Sequence, residues 1–185
     1  MKLYETERLI VRRWEARDAA DLYEYASDPE VAKFLFAPYT NIPQAHERIE
    51  SIIKTYENAE NIMKTGEKID YAIELKSESK VIGCISYAKY TEKAGGIVEL
   101  GYMLNKKYQG SGYMNEAVLG IFQFIKSNNI GMRIEAIHDI SNPSSGNVMK
   151  RVGMTFEGIL RKRVINKSTG QREDAAIYSI LVEEI

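Results

Sequence analysis

Cysteine is nearly absent from this chain: Cys84 stands alone, so no intrachain disulfide is possible. Its setting, Val81-Ile82-Gly83-Cys84-Ile85-Ser86, is that of a small residue in a buried strand rather than of a reactive thiol. Histidine is almost as scarce. His46 and His138 lie far apart, with neither a helical His-x-x-x-His spacing nor cysteines beside them, so no metal site is expected. An excess of one charge is also missing, with 25 Lys and Arg against 26 Asp and Glu and a net charge of −1. That balance offers no electrostatic case for nucleic acid or an anionic membrane. The twelve tyrosines do not cluster with basic residues into a stacking platform. No apolar run reaches the roughly 18 residues that span a bilayer, and no basic stretch followed by an apolar core opens the chain. The expected compartment is therefore the reducing cytoplasm, with recognition resting on local features.

What is present suits one domain over residues 1–185: 44% hydrophobic and 28% charged residues, a length that can bury one sizeable core. A strand is expected over 6–14 and a helix over 17–27, with Leu22, Tyr23 and Ala26 turned inward. Asp28-Pro29 reads as N-cap and first helical residue of a short helix to 35. A helix from Pro43 to about 58 buries Ile49, Ile52, Ile53 and Tyr56 at single-face spacing. A polar loop over 59–69 precedes strands near 70–76, 80–89 and 97–104, whose turn-like separations at 76–79 and 92–96 imply antiparallel pairing. Met114, Ala117, Val118, Ile121, Phe122 and Ile125 trace the apolar face of a helix to 127. A strand over 132–138 follows, then a helix opened by Asn142-Pro143 and closed by Gly153, then strands near 154–162 and 173–183 around a turn at 167–170. The class is α/β, a mixed and mostly antiparallel sheet flanked by helices.

The most informative stretch is Gln109-Gly110-Ser111-Gly112-Tyr113-Met114, between a strand and a helix. Two glycines allow a sharp turn and a close ligand approach, and the first helical N–H groups lack intrahelical acceptors. The positive end of the helix dipole makes a pyrophosphate a natural occupant, although glycines in such turns also serve simply to turn the chain. A Walker loop would end in Gly-Lys-Ser/Thr, and a dinucleotide fingerprint would need glycine where Asn115 stands; neither fits.

The loop resembles the pyrophosphate-binding loop of the GNAT acyltransferases, patterned Gln/Arg-x-x-Gly-x-Gly/Ala, with Met114 at the final position, where a small residue is usual. The order of elements is similar throughout the chain, and the resemblance is nearest to the branch of ribosomal-protein N-terminal acetyltransferases. It implies a single-domain GNAT fold, acetyl-CoA as cosubstrate bound by residues 109–114, and transfer of acetyl to a primary amine. Asn142-Pro143-Ser144-Ser145 resembles that branch's second CoA motif. By that resemblance Asn142 and Asn147 contact the cofactor and Ser145 donates to the thioester sulfur, a role that many relatives give to a tyrosine. Read locally, Asn142 is simply an N-cap and Ser145 a first-turn residue.

Glu99 lies on the strand at 97–104. With a raised pKa it would take the amine's proton, and ion-paired it would be structural. The resemblance implies a bulge in this strand, with the backbone of Met103 and Leu104 offered to the pantetheine arm. It also implies an acceptor groove lined by residues 34–39 and the last strands. The acceptor is a protein N-terminus or a polyamine, amino sugar, antibiotic or other small amine. A non-catalytic acyl-CoA sensor and a nucleotide-binding protein are the rival classes, and oligomeric state is open.

Overall fold

The computed structural model describes residues 1–58, 67–90, 96–167 and 169–185. Among these residues eight strands form one sheet: β1 (Lys2–Glu5), β2 (Leu9–Arg12), β3 (Ile69–Leu75), β4 (Lys80–Tyr90), β5 (Ile97–Leu104), β6 (Arg133–Asp139), β7 (Thr155–Ile165) and β8 (Arg172–Leu181). Their order is β1-β2-β3-β4-β5-β6-β8-β7, antiparallel throughout except for the parallel pair β5/β6. The crossover between those two strands carries a 15-residue helix with a continuous apolar face, and parallel neighbours require such a crossover.

Among the described residues five α-helices accompany the sheet: α1 (Ala19–Ala26), α2 (Pro29–Ala32), α3 (Ile42–Tyr56), α4 (Tyr113–Ser127) and α5 (Pro143–Arg151). The α1 and α3 helices pack on each other and on β4 and β3, while α4 lies against β1 and β2 and α5 against β6 and β7. Covered on both faces, β3 and β4 are buried along most of their length. Capping follows the sequence signals. Asp28 accepts from Glu30 N–H at 2.9 Å, Asn41 from Gln44 N–H at 3.1 Å, and each is followed by proline at the first or second helical position. All six apolar residues expected on the inner face of α4 are buried.

The N-terminus departs from expectation. Two short strands, β1 and β2, form a hairpin where one strand over 6–14 was expected. Four residues of β1 carry too little periodicity to read; its anchorage is tertiary, with Tyr4 Oη donating to the Ala117 carbonyl on α4 at 2.6 Å. Helix α1 enters through a 3-10 turn at Ala16–Asp18. It buries Tyr25 completely, whereas Tyr23 remains half-buried and reaches the Thr40 carbonyl. Arg12 binds Asp18 at 2.8 Å and Glu74 at 2.6 Å, tying β2 to that turn and to β3. The short helix α2 ends at Ala32 rather than at 35. Most of the expected loop at 59–69 and of the turn at 92–96 lies outside the described residues.

Candidate active site

The site begins where the pairing of β5 and β6 stops. Pairing runs from Ile97/Arg133 to Leu100/Ala136 and no further, although both strands continue. Gly96 O accepts from Met132 N–H on one side, and Asn105 N–H bonds Ile82 O on the other. Alternation therefore turns odd-numbered residues of β5 into β4, and leaves the N–H and C=O groups of Tyr102 and Leu104 along the open edge. This corrects Met103, whose backbone pairs into β4 opposite Cys84. No bulge is needed: β4/β5 pairing keeps one register, and the irregularity lies between β3 and β4 at Ile73/Glu74.

A cavity of about 640 Å³ opens from that edge. Gly110 and Gly112 form its floor at the N-terminus of α4, with φ of +83° and +80°. An added Cβ at Gly110 would meet nothing within 4 Å, so the loop leaves room for a ligand against its backbone. Gln109, Tyr113 and the buried Met114 line the same space; Gln109 Nε2 donates to Leu104 O at 3.2 Å. Ser111 does not line it. The Ser111 carbonyl instead accepts from Arg8 Nη1 at 3.1 Å, while Arg8 Nε holds Glu116 at 2.6 Å and its guanidinium covers the Tyr113 ring at 4.4 Å. The N-terminal hairpin thus pins the loop from behind, a contact across about a hundred residues that no local pattern announces.

The second wall is α5. Asn142 Oδ1 accepts from Ser145 N–H at 3.4 Å, a long N-cap bond, and both residues face the cavity with the exposed Asn147. Asp139, at the end of β6, also lines it, and its Oδ2 is buried with no hydrogen-bond partner among the described residues. That orphan acceptor and the unpaired β5 edge suit a chain of amides such as a pantetheine arm, which offers both N–H and C=O groups.

Between the walls, Ser145 Oγ donates to Tyr102 Oη at 3.2 Å, and Tyr102 donates to the Ser145 carbonyl at 2.9 Å. Burial pushes the Tyr102 hydroxyl up to about 12, so it is an O–H donor across the neutral range. Tyr102 was not singled out from sequence. Its alternation with Leu104 on β5 was the available signal.

Of the two states open to Glu99, the structure shows the ion-paired one. Burial raises its carboxyl, but Lys68 at 2.7 Å, the Tyr90 hydroxyl at 2.8 Å and the field of Arg163 outweigh that and hold it below the ordinary range. It is an ionised, paired carboxylate at the cavity's far end, not one with a raised pKa. Nearby Asp70 is shifted the other way, raised by burial despite Arg48 at 2.6 Å. The connection at 34–39 divides: Phe34 and Leu35 line the cavity with Val164 and Ile165, while Phe36 and Tyr39 stack on each other at 5.1 Å and pack on the core. Cys84 sits apart in β4, its thiol pushed up by burial. Among the described residues no cluster of three or more His, Cys, Asp or Glu could hold a metal, and no helix is long and apolar enough to cross a membrane.

Comparison with known proteins accounts for this arrangement. Residues 8–155 match the model of the acetyltransferase (GNAT) domain. The chain is 31% identical to an uncharacterized N-acetyltransferase, p20, of Bacillus licheniformis, over 100% of this chain and 98% of that protein. It is 24% identical to the [ribosomal protein uS5]-alanine N-acetyltransferase of Escherichia coli, covering 83% of this chain and 78% of that protein. In fold it is similar to the microcin C7 self-immunity acetyltransferase MccE, solved with acetyl-CoA and AMP, at a TM-score of 0.79 and 22% identity over 95% of this chain and 93% of that one. A splayed strand pair, a glycine loop at a helix N-terminus and a full-length match to N-acetyltransferases converge: the chain belongs to the GNAT family and is an acetyl-CoA-dependent N-acetyltransferase.

Proposed function

We propose that this enzyme, as one domain over residues 1–185 acting in the cytoplasm, acetylates the α-amine of a peptide or protein N-terminus by direct attack on the thioester. The reading is carried by one observation: the Tyr102–Ser145 hydroxyl pair stands beside the unpaired edge of β5, with the ionised Glu99 further along the same strand. The loop at 109–114 takes the pyrophosphate, and the open edge with Asp139, Asn142 and Asn147 takes the pantetheine arm. The amine nitrogen bonds to the acetyl carbon, the resulting tetrahedral oxyanion collapses, and the C–S bond breaks. Tyr102, supported by Ser145, donates to the departing thiolate.

As the new C–N bond forms, positive charge grows on the nitrogen. Glu99 stabilises that charge, a task that suits a carboxylate with a lowered pKa better than taking and keeping the proton, which passes to water. Positioning carries much of the rate, since no covalent enzyme intermediate is involved. An N-terminal amine as acceptor draws support from the resemblance to the uS5-alanine enzyme and from a cavity whose lining reaches α2, β7 and β5.

The test is CoA-thiol release over a panel of short peptides and small amines, with products identified by mass. Acetylation at peptide N-termini is expected. Activity confined to polyamines, amino sugars or antibiotics would replace the acceptor, and CoA binding without release across the panel would make the protein a sensor.

A further inference from the structure

The β7–β8 hairpin leaves regular pairing at one place. Leu160 pairs with Ala175 and Val164 with Glu173, so Arg161, Lys162 and Arg163 together face the single residue Asp174. Lys162 takes φ +52°, a region that costs energy for any residue with a side chain. The bulge is nevertheless tightly held. Asp174 Oδ1 accepts from Lys162 N–H at 2.8 Å, Lys162 Nζ donates to the Arg172 carbonyl at 3.1 Å, and Arg172 Nη1 returns a bond to the Lys162 carbonyl at 3.2 Å. Its three basic side chains are all exposed. Adjacent like charges on a strained backbone are destabilising, and bulges often re-aim side chains next to active sites.

The location is specific. Val164 and Ile165, the next residues along β7, line the cavity at its acceptor end with Lys33, Lys68 and Glu99. The field of Arg163 reaches Glu99 and Tyr90. The carboxylates at that end are already matched by lysines, Glu30 by Lys33 at 3.0 Å and Glu99 by Lys68 at 2.7 Å. Among the described residues no carboxylate lies within ion-pair distance of Arg161 or Arg163. Asp174 offsets one of the bulge's three cations, so this side of the mouth still carries surplus positive charge, although the chain as a whole is at −1.

We infer that the Arg161-Lys162-Arg163 bulge is a specificity rim that selects acceptors bearing a carboxylate close to the reactive amine. This rests on the proposed transfer to an α-amine and adds the chemical class of the acceptor. The rim acts as oriented charge at the entrance, guiding the anionic group to the β7 side while the amine enters toward Glu99.

The experiment measures kcat/KM at saturating acetyl-CoA for two acceptor pairs: short peptides differing only in Glu or Gln at the second and third positions, and free glutamate against glutamine. Exposed charges of this kind are worth roughly a three- to tenfold preference for the acidic partner, shrinking as salt is raised. Arg163→Glu, alone or with Arg161→Glu, is expected to erase or invert the ratio, and Arg163→Lys to retain it. A merely structural role would lower both members of a pair together and leave their ratio unchanged. Preference in the peptide pair alone makes the acceptor an acidic N-terminal segment; preference in the amino-acid pair makes it a small carboxylate-bearing amine. Turnover with no acidic preference in either pair, or an unaltered ratio in Arg163→Glu, would overturn the rim while leaving acetyl transfer intact. No thiol release with any amine would overturn the transfer reading, and the rim with it.

Discussion

The two ends of the cleft are made of different material. At the proposed cofactor end the chemistry belongs to backbone: the N–H groups that open α4, the turn through Gly110 and Gly112, and the edge of β5 at Tyr102 and Leu104 that β6 leaves unpaired. At the proposed acceptor end it belongs to side chains from separate parts of the chain, with Lys68 and Tyr90 bonded to the Glu99 carboxylate and Arg163 acting on it through its field alone. Backbone groups present one geometry to one ligand and tolerate little change. A network of exposed and half-buried charges can be retuned residue by residue, which suits an enzyme class with one cosubstrate and many acceptors.

That contrast can be broken most severely at Gly112. Gly112→Asp puts a side chain where φ is +80° and adds a negative charge at the anion site, so acetyl-CoA affinity should fall on the order of 10³-fold by calorimetry. Unchanged affinity in a folded variant would move the pyrophosphate elsewhere. The next effect is expected between the two ends. Tyr102→Phe removes an O–H donor, and single-turnover transfer at saturating acetyl-CoA should slow roughly 10²-fold. Ser145→Ala, which leaves that hydroxyl in place, should cost about tenfold or less; a larger loss in Ser145→Ala than in Tyr102→Phe would reverse the two roles.

Smaller changes sharpen the comparison further. Asn142→Ala should cost stability near the lower end of about 0.5–2 kcal/mol by chemical denaturation, because its capping bond is already long at 3.4 Å. A loss in acetyl-CoA affinity beyond that would mark Asn142 as a cofactor contact as well as a cap.

The smallest effect is expected for Glu99→Gln, in both rate and stability. The folded protein holds this carboxyl below the 4.5 of the free group, so its contribution to stability is complete above about pH 4.5 and is lost as pH falls through the lower folded value. Melting temperature followed down through that range should decline less steeply in Glu99→Gln than in wild type. A rate loss larger than that of Tyr102→Phe would restore Glu99 as the essential base.

Legibility followed the same division. Caps at Asp28 and Asn142, the inner face of α4 and the glycine loop were readable, since each depends on residues within about one helical turn of each other. The β1 strand was not, being four residues long and held by Tyr4 reaching α4. Glu99 was readable as a candidate but not in its charge state, because Lys68 and Arg163 approach it from other strands and connections.

What the sequence alone determined about this enzyme is its class of fold, its glycine loop at a helix N-terminus and the apolar faces of its longer helices, because backbone conformation and amphipathic periodicity are encoded locally. Only the tertiary structure decided that β5 parts from β6 after Leu100, that Tyr102 meets Ser145, that Arg8 grips the loop, and that a three-residue bulge in β7 directly precedes the cavity-lining Val164 and Ile165. Those are encounters between distant segments. Their partners are selected by how sheet register and helix packing bring the chain together, and no short stretch of sequence carries that information.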